Sequence, residues 1–212
     1  MNVNQIVLSK TAMLFFDILN IYYHGATHET DEHRRLVVAN SVRLRDAARK
    51  TAIPILFVQP NHRPDGATDG PIVTDTNMQL HPWPNGECAP KTSPASAGSW
   101  EAEIIDELKP DHGDYIVPKY RWSAFYQTYL DLALRARGID TIILSGGSTE
   151  IGIASTVYAA RDMDYSFIIA RDACLGSSVE CHNMLMDKVF PRMARIRSTD
   201  QVLEMMRSGL RP

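Results

Sequence analysis

Cysteine is scarce in this chain, and the three present, Cys88, Cys174 and Cys181, cannot all pair with one another. Their spacing fits no zinc-binding pattern, so free thiols in a reducing cytoplasm are the expectation. Long apolar runs are lacking: none approaches the roughly 18–20 residues that a membrane span needs. Positive charge is not in excess, with 22 Lys and Arg against 25 Asp and Glu and a net charge of −3. Without a broad positive field, nucleic acid is a poor partner. The opening "MNVNQIVLSK" lacks a basic start followed by an apolar block, which argues against a secretory signal. What remains is the expectation of an ordinary soluble globular protein.

What is present points to one α/β domain spanning 1–212, since 212 residues suffice for one sizeable core and do not demand two. Four apolar runs read as buried parallel strands: "AMLFFDI" (12–18), "IPILFV" (53–58), "DTIILSG" (140–146) and "YSFIIA" (165–170). A weaker one, "DYIVPK", covers 114–119. Helical patterns alternate with them. Residues 32–51 carry an apolar stripe through Leu36, Val37, Ala39, Val42, Leu44 and Ala47. Ser123 is a candidate N-cap for "AFYQTYLDLALRAR", with Gly138 as the left-handed residue that stops it. Further helices are expected over 150–163, in "SSVECHNMLMDKVF" and in "TDQVLEMMRSG". Strand–helix alternation with short joints implies a three-layer α-β-α fold with a mainly parallel sheet. Residues 60–99 break the pattern: rich in Pro, Gly, Asn and Asp, they read as a long irregular loop, a lid or pocket wall.

Three strand ends carry residues fit for chemistry. Asp17 closes "AMLFFD" at the carboxyl end of a buried strand, where open α/β sheets bind ligands. Burial would raise its pKa and suit it to proton transfer; locally it could equally cap a turn. Lys119 ends "DYIVPK" and could hold that carboxylate ionised or bind an anion, although by itself it reads as a surface lysine. The third end is "SGGSTEIGIAST" (145–156), where Gly146 and Gly147 permit a tight turn. Gly147, Ser148 and Thr149 lead into a helix start whose N–H groups could receive an oxyanion or carboxylate; the plain alternative is a chain reversal. His24 and His28 stand four apart but have no evident third metal ligand. His62 could line the site or brace the loop, Cys174 reads as packing, and the methionines at 184, 186, 205 and 206 fit helix faces.

Together these strand ends resemble the isochorismatase-like hydrolases, the cysteine-hydrolase superfamily. The resemblance runs from about Thr11 to the C-terminal helix, through "FFDILNIYY", "VQPNHRPDG", "VPKYRWSAFYQTYLDLALRARGIDTIILSGGST" and "AARDMDYSFIIARDAC". It implies a sheet of about six strands, a homodimer or homotetramer, and a non-proline cis peptide at Gly147–Ser148. It also implies an Asp–Lys–Cys triad that would carry over to Asp17 and Lys119, with its nucleophile aligned to Gly152. A glycine there cannot form a thioester, so cysteine-dependent amidase chemistry is not expected. Leu19 likewise stands where many members have Gln. Isochorismatases proper also lack the sulfur and cleave a vinyl ether by protonation and water attack. The resemblance therefore implies hydrolysis of a small polar or anionic molecule by Asp17 and Lys119, at a vinyl ether, amide, imide or lactone bond. Tyr22, His62, Arg121, Trp122 and Tyr158 are expected substrate-wall residues, with Gly152 leaving room for substrate or water. No cofactor and no metal are implied, because "QPNHRPDG" does not reproduce the zinc-binding pattern of some relatives. Two other readings stay open. In one, Ser148, Thr149 or Ser155 is the nucleophile with Glu150 as base, no histidine being near in sequence. In the other, the protein binds a small molecule without turning it over.

Overall fold

A computed structural model describes residues 4–24, 32–69, 75–76, 79–80 and 95–210. In chain order these comprise β1 (Thr11–Phe16), α1 (Asn20–Tyr23), α2 (Glu32–Lys50), β2 (Ile55–Pro60) and a minimal antiparallel pair, β3 (Asp75–Thr76) with β4 (Gln79–Leu80). There follow β5 (Tyr115–Lys119), α3 (Leu130–Ala136), β6 (Thr141–Gly147), α4 (Ala154–Asp162), β7 (Ser166–Leu175), α5 (Val179–Met184), β8 (Ala194–Arg197) and α6 (Thr199–Arg207). The six strands of the main sheet lie in the order β5-β2-β1-β6-β7-β8, every neighbouring pair parallel. The chain winds outward from β1 to β5 on one side, then returns to the centre and winds outward again from β6. Where the direction reverses, between β1 and β6, the strands' carboxyl ends open a crevice.

All six residues of β1 are buried, as a central parallel strand covered on both faces must be. Its alternating side chains divide between two apolar layers. Ala12, Leu14 and Phe16 pack with Leu130 and Leu134 of α3 and with Val157 and Ala160 of α4. Met13 and Phe15 pack with Val37 and Leu44 of α2 and with Val202 and Met205 of α6. The result is the three-layer α/β arrangement, with the six-stranded sheet as its middle layer.

Several local expectations shift. The buried face of α2 is Val37, Asn40, Ser41, Leu44 and Ala48, whereas Leu36 is half exposed. Asn40 and Ser41 can be buried because Asn40 donates to the Asp172 carbonyl and Ser41 is hydrogen-bonded to Ser145 Oγ at 2.8 Å. Ser123 caps no long helix: Gln127 has φ 54°, a left-handed conformation that interrupts helical winding, and α3 begins only at Leu130. The Ala124 N–H is instead taken by Thr156 Oγ1 of α4 at 3.0 Å. Gly138, at φ 67°, does close that helix. The expected helix over 150–163 is a π-turn at Thr149–Ile153 running into α4. Its C-terminal counterpart α6 carries the Ser198/Gln201 capping box. Of the irregular stretch 60–99, residues 70–74, 77–78 and 81–94, with Cys88, lie outside the described residues, as does His28. Among the described residues no helix is long and apolar enough to cross a membrane.

Candidate active site

Asp17 follows β1 directly, with φ 46°. Left-handed backbone is uncommon outside glycine but is tolerated by Asp. It turns the chain off the sheet at the switch point, with the Asp17 N–H donated to the Val58 carbonyl at 2.9 Å. Lys119 is the last residue of β5, two strands away across β2. A four-carbon stem spans that distance. Its ammonium lies 5.0 Å from the centroid of the Phe16 ring and 2.9 Å from Asp17 Oδ2. Both side chains are about nine-tenths buried. Burial pushes the Asp17 carboxyl up to about 6, an effect that the charge and hydrogen bond of Lys119 only partly offset. Oδ1 of the same carboxylate is buried without a hydrogen-bond partner.

The end of β6 forms the opposing wall. Gly146 has φ 123°, and a Cβ there would come 2.0 Å from the Phe16 carbonyl oxygen, so only glycine lets the two central strands approach this closely. The Gly147–Ser148 peptide is cis, and the π-turn Thr149–Ile153 begins immediately after it. Gly152 lies inside that turn. A Cβ built on it would be 2.2 Å from Phe16 Cε1 and 2.6 Å from Cζ. The room expected beside residue 152 is therefore taken by an aromatic ring.

These elements enclose a cavity of about 420 Å³. Asp17, Lys119, Gly147, Ser148 and Gly152 line it, and so do Tyr22 and Trp122. The structure thus brings together these seven of the residues singled out from sequence, and Glu150 with them. Four others stand elsewhere. Thr149 is fully buried with Oγ1 hydrogen-bonded to His182 Nδ1 at 2.9 Å, and it does not line the cavity. His62 is 2.9 Å from an Asp69 carboxylate oxygen and packs edge-on against Tyr120. Arg121 donates to the carbonyls of Thr68 and Tyr120, and Tyr158 is half exposed on α4. None of these three lines the cavity among the described residues. His24 is paired with Glu107 at 2.9 Å.

Glu150, singled out from sequence only as a candidate base, also lines the cavity, and the rest of the wall, Tyr23, Arg34, Ile151 and the segment Leu175–Ser177, carries no sequence signal of its own. Glu150 Oε1 accepts the Ser177 N–H at 3.0 Å, while Oε2 is buried without a partner; so is the Tyr23 hydroxyl. His182, distant in sequence, is folded against Thr149, and its pKa is lowered by burial and by the neighbouring Arg171 and His33. Ser155 Oγ donates to the Gly152 carbonyl at 3.1 Å and is occupied by that turn. Cys174 is fully buried, 4.0 Å from the Leu144 carbonyl, and burial pushes its thiol well above the ordinary range. Cys181 is partly exposed, and neither sulfur lines the cavity.

A model of the isochorismatase domain matches residues 11–201. The chain belongs to the isochorismatase family. YecD of Escherichia coli O157:H7, described as an uncharacterized isochorismatase family protein, is 32% identical over 200 residues, 91% of this chain and 94% of its own length. The ureidoacrylate amidohydrolase RutB of Rhizobium rhizogenes is 29% identical over 178 residues, 78% of this chain and 70% of its own. An isochorismatase family protein from Burkholderia thailandensis superposes with a TM-score of 0.80 at 25% identity, covering 96% of this chain and 99% of that one. Isochorismatase-family membership makes the chain a hydrolase.

Proposed function

We propose that this isochorismatase-family hydrolase cleaves a small amide-type molecule by direct attack of water, with Asp17 moving the proton and no covalent bond to the enzyme. The observation that carries the reading is the asymmetry of Asp17. One carboxylate oxygen is held by Lys119 at 2.9 Å, the other is buried and unpartnered, and the residue lines the cavity. That free oxygen is the base. It takes a proton from a water molecule as the water oxygen bonds to the carbonyl carbon, and the C=O electron pair moves onto oxygen. Lys119 and the backbone of the Gly147–Gly152 turn face the developing negative charge. Collapse of the tetrahedral species breaks the C–N bond, and Asp17 returns its proton to the departing nitrogen. Gly152 is read as standing where cysteine-dependent members carry their nucleophile, and the Phe16 ring beside it leaves no path for a side chain there. The RutB relative acts on a ureido compound by its name, which supports an amide-type bond in this chain's substrate.

One observation favours a second reading. A carboxyl pushed up to about 6 keeps a fraction of its proton near neutral pH, as an acid that protonates a vinyl ether would require. The same Asp17 then acts in the opposite protonation state. Both readings expect Asp17→Asn to lose turnover while still binding substrate, measured on a panel of amides, ureas and vinyl ethers. Turnover retained in that variant would contradict both.

A further inference from the structure

We infer that Glu150 is the specificity-determining residue of this cavity and that it selects substrates presenting an N–H donor, neutral or cationic, over substrates presenting a carboxylate at that end. The inference deepens the hydrolytic reading and rests on it for the reaction, not for the binding. Glu150 is fixed rather than free to swing into solvent, because Oε1 accepts the Ser177 N–H at 3.0 Å. Its other oxygen, Oε2, is buried with no partner, although the residue lines the cavity. Gly176 keeps that corner open: a Cβ there would come 3.3 Å from Oε2 and 3.0 Å from His182 Cβ. A buried carboxylate oxygen is acceptor-only when ionised, and leaving it unmatched costs the full loss of its hydration. An occupant that donates an N–H removes that cost, whereas one that brings a second carboxylate adds repulsion.

The donors of the cavity point the same way. Of the cationic side chains that line it, Lys119 is paired with Asp17 and the Arg34 Nε–H is donated to the Tyr22 carbonyl at 2.9 Å. The buried polar atoms of the wall left without a partner are then Asp17 Oδ1, Glu150 Oε2 and the Tyr23 hydroxyl, and the two carboxylate oxygens call for donors. The first serves the attacking water in the reading above, which leaves Glu150 to the substrate's nitrogen. Tyr22, Tyr23 and Trp122 line the same space and offer aromatic surface to a flat ligand.

Benzamidine, benzamide and benzoate share one shape and differ only in donors and charge, so their affinities measured by calorimetry at pH 7 test the assignment. The wild type should bind benzamidine most tightly, benzamide next and benzoate least, with at least a roughly tenfold span, as expected for a charge-assisted hydrogen bond. Glu150→Gln, which retains an oxygen for Ser177 and turns an amide into the cavity, should shrink that span about tenfold or invert it. Benzoate bound as well as benzamidine by the wild type, no binding of benzamidine at millimolar concentration, or an order indifferent to Glu150→Gln overturns the inference. The wild-type order decides even if the variant does not fold. Asp17→Asn separates the two claims. Turnover lost while the affinity order persists supports both; turnover retained with a Glu150-dependent order overturns only the hydrolytic reading.

Discussion

The ring of Phe16 occupies the space into which a side chain at position 152 would project, with Cε1 2.2 Å from the point where a Cβ would sit. The same ring lies beneath the Lys119 ammonium, 5.0 Å from its centroid. One aromatic residue of β1 thus closes off position 152 and supports the cation that holds Asp17. Glycine is required at 152 for space, not for backbone freedom.

Placing a sulfur at position 152 is consequently a two-residue problem. Gly152→Cys should lose about 1–3 kcal/mol through overpacking, read from urea denaturation, and should gain no cysteine-dependent activity. Phe16→Val combined with Gly152→Cys should cost less than the sum of the two single changes by about 1 kcal/mol or more. Strict additivity would show that the two residues do not compete for one volume.

Removing the cation exposes how the pair is balanced. Lys119→Met leaves a buried carboxylate without its partner and should cost about 3–5 kcal/mol at pH 8. The loss should shrink below pH 5, where the carboxyl is protonated. Because Lys119 lowers the Asp17 pKa against burial, its removal should move that pKa above the present value of about 6. A stability loss that does not vary with pH would argue against direct coupling of the two groups.

Asp17 also sets the sign of two pH dependences. Its folded-state pKa, about 6, lies above the ordinary 3.8. The stability linked to its proton is therefore full below the ordinary value and lost as pH rises through about 6. Relative to Asp17→Asn, the wild type should become less stable across that interval in urea titrations. Activity should run the other way under the amide reading: kcat/KM rises through an inflection near 6, because the base must be ionised. A profile that falls above the inflection would instead support the vinyl-ether reading.

Thiol chemistry should be dispensable. Cys174 is buried beside the Leu144 carbonyl and Cys181 is only partly exposed. Alkylation of the accessible sulfurs with iodoacetamide, verified by mass, should leave most of the activity intact. Full loss with one labelled cysteine protected by substrate would place sulfur in the reaction.

The central strands could be read from sequence because parallel strands covered on both faces are continuous apolar runs, and Asp17, Lys119 and Gly147 were visible as the residues that end them. β8 was not, since its "ARIR" alternates arginine with small and apolar residues and all four positions are only partly buried. The helix expected from Ser123 failed at Gln127, whose left-handed backbone no local pattern announces. In the site, Tyr23, Arg34 and Leu175–Ser177 come from three separate segments, and their convergence on Glu150 depends on how those segments pack. Phe16 looked like one more core residue of an apolar strand. Its role against Gly152 is a fact of register: Phe16 is paired with Gly146 across the two central strands. Asn40 and Ser41 were hidden for the related reason that their polar partners lie on β6 and β7.

The most direct measurement is intact-protein mass spectrometry of a reaction quenched within a single turnover, run in ¹⁸O-labelled water with the best-cleaved member of an amide and urea panel. Water attacking the substrate directly predicts unmodified protein and one ¹⁸O in the product of the first turnover. An acyl adduct on the enzyme, on any hydroxyl, carboxylate or sulfur, would contradict the account.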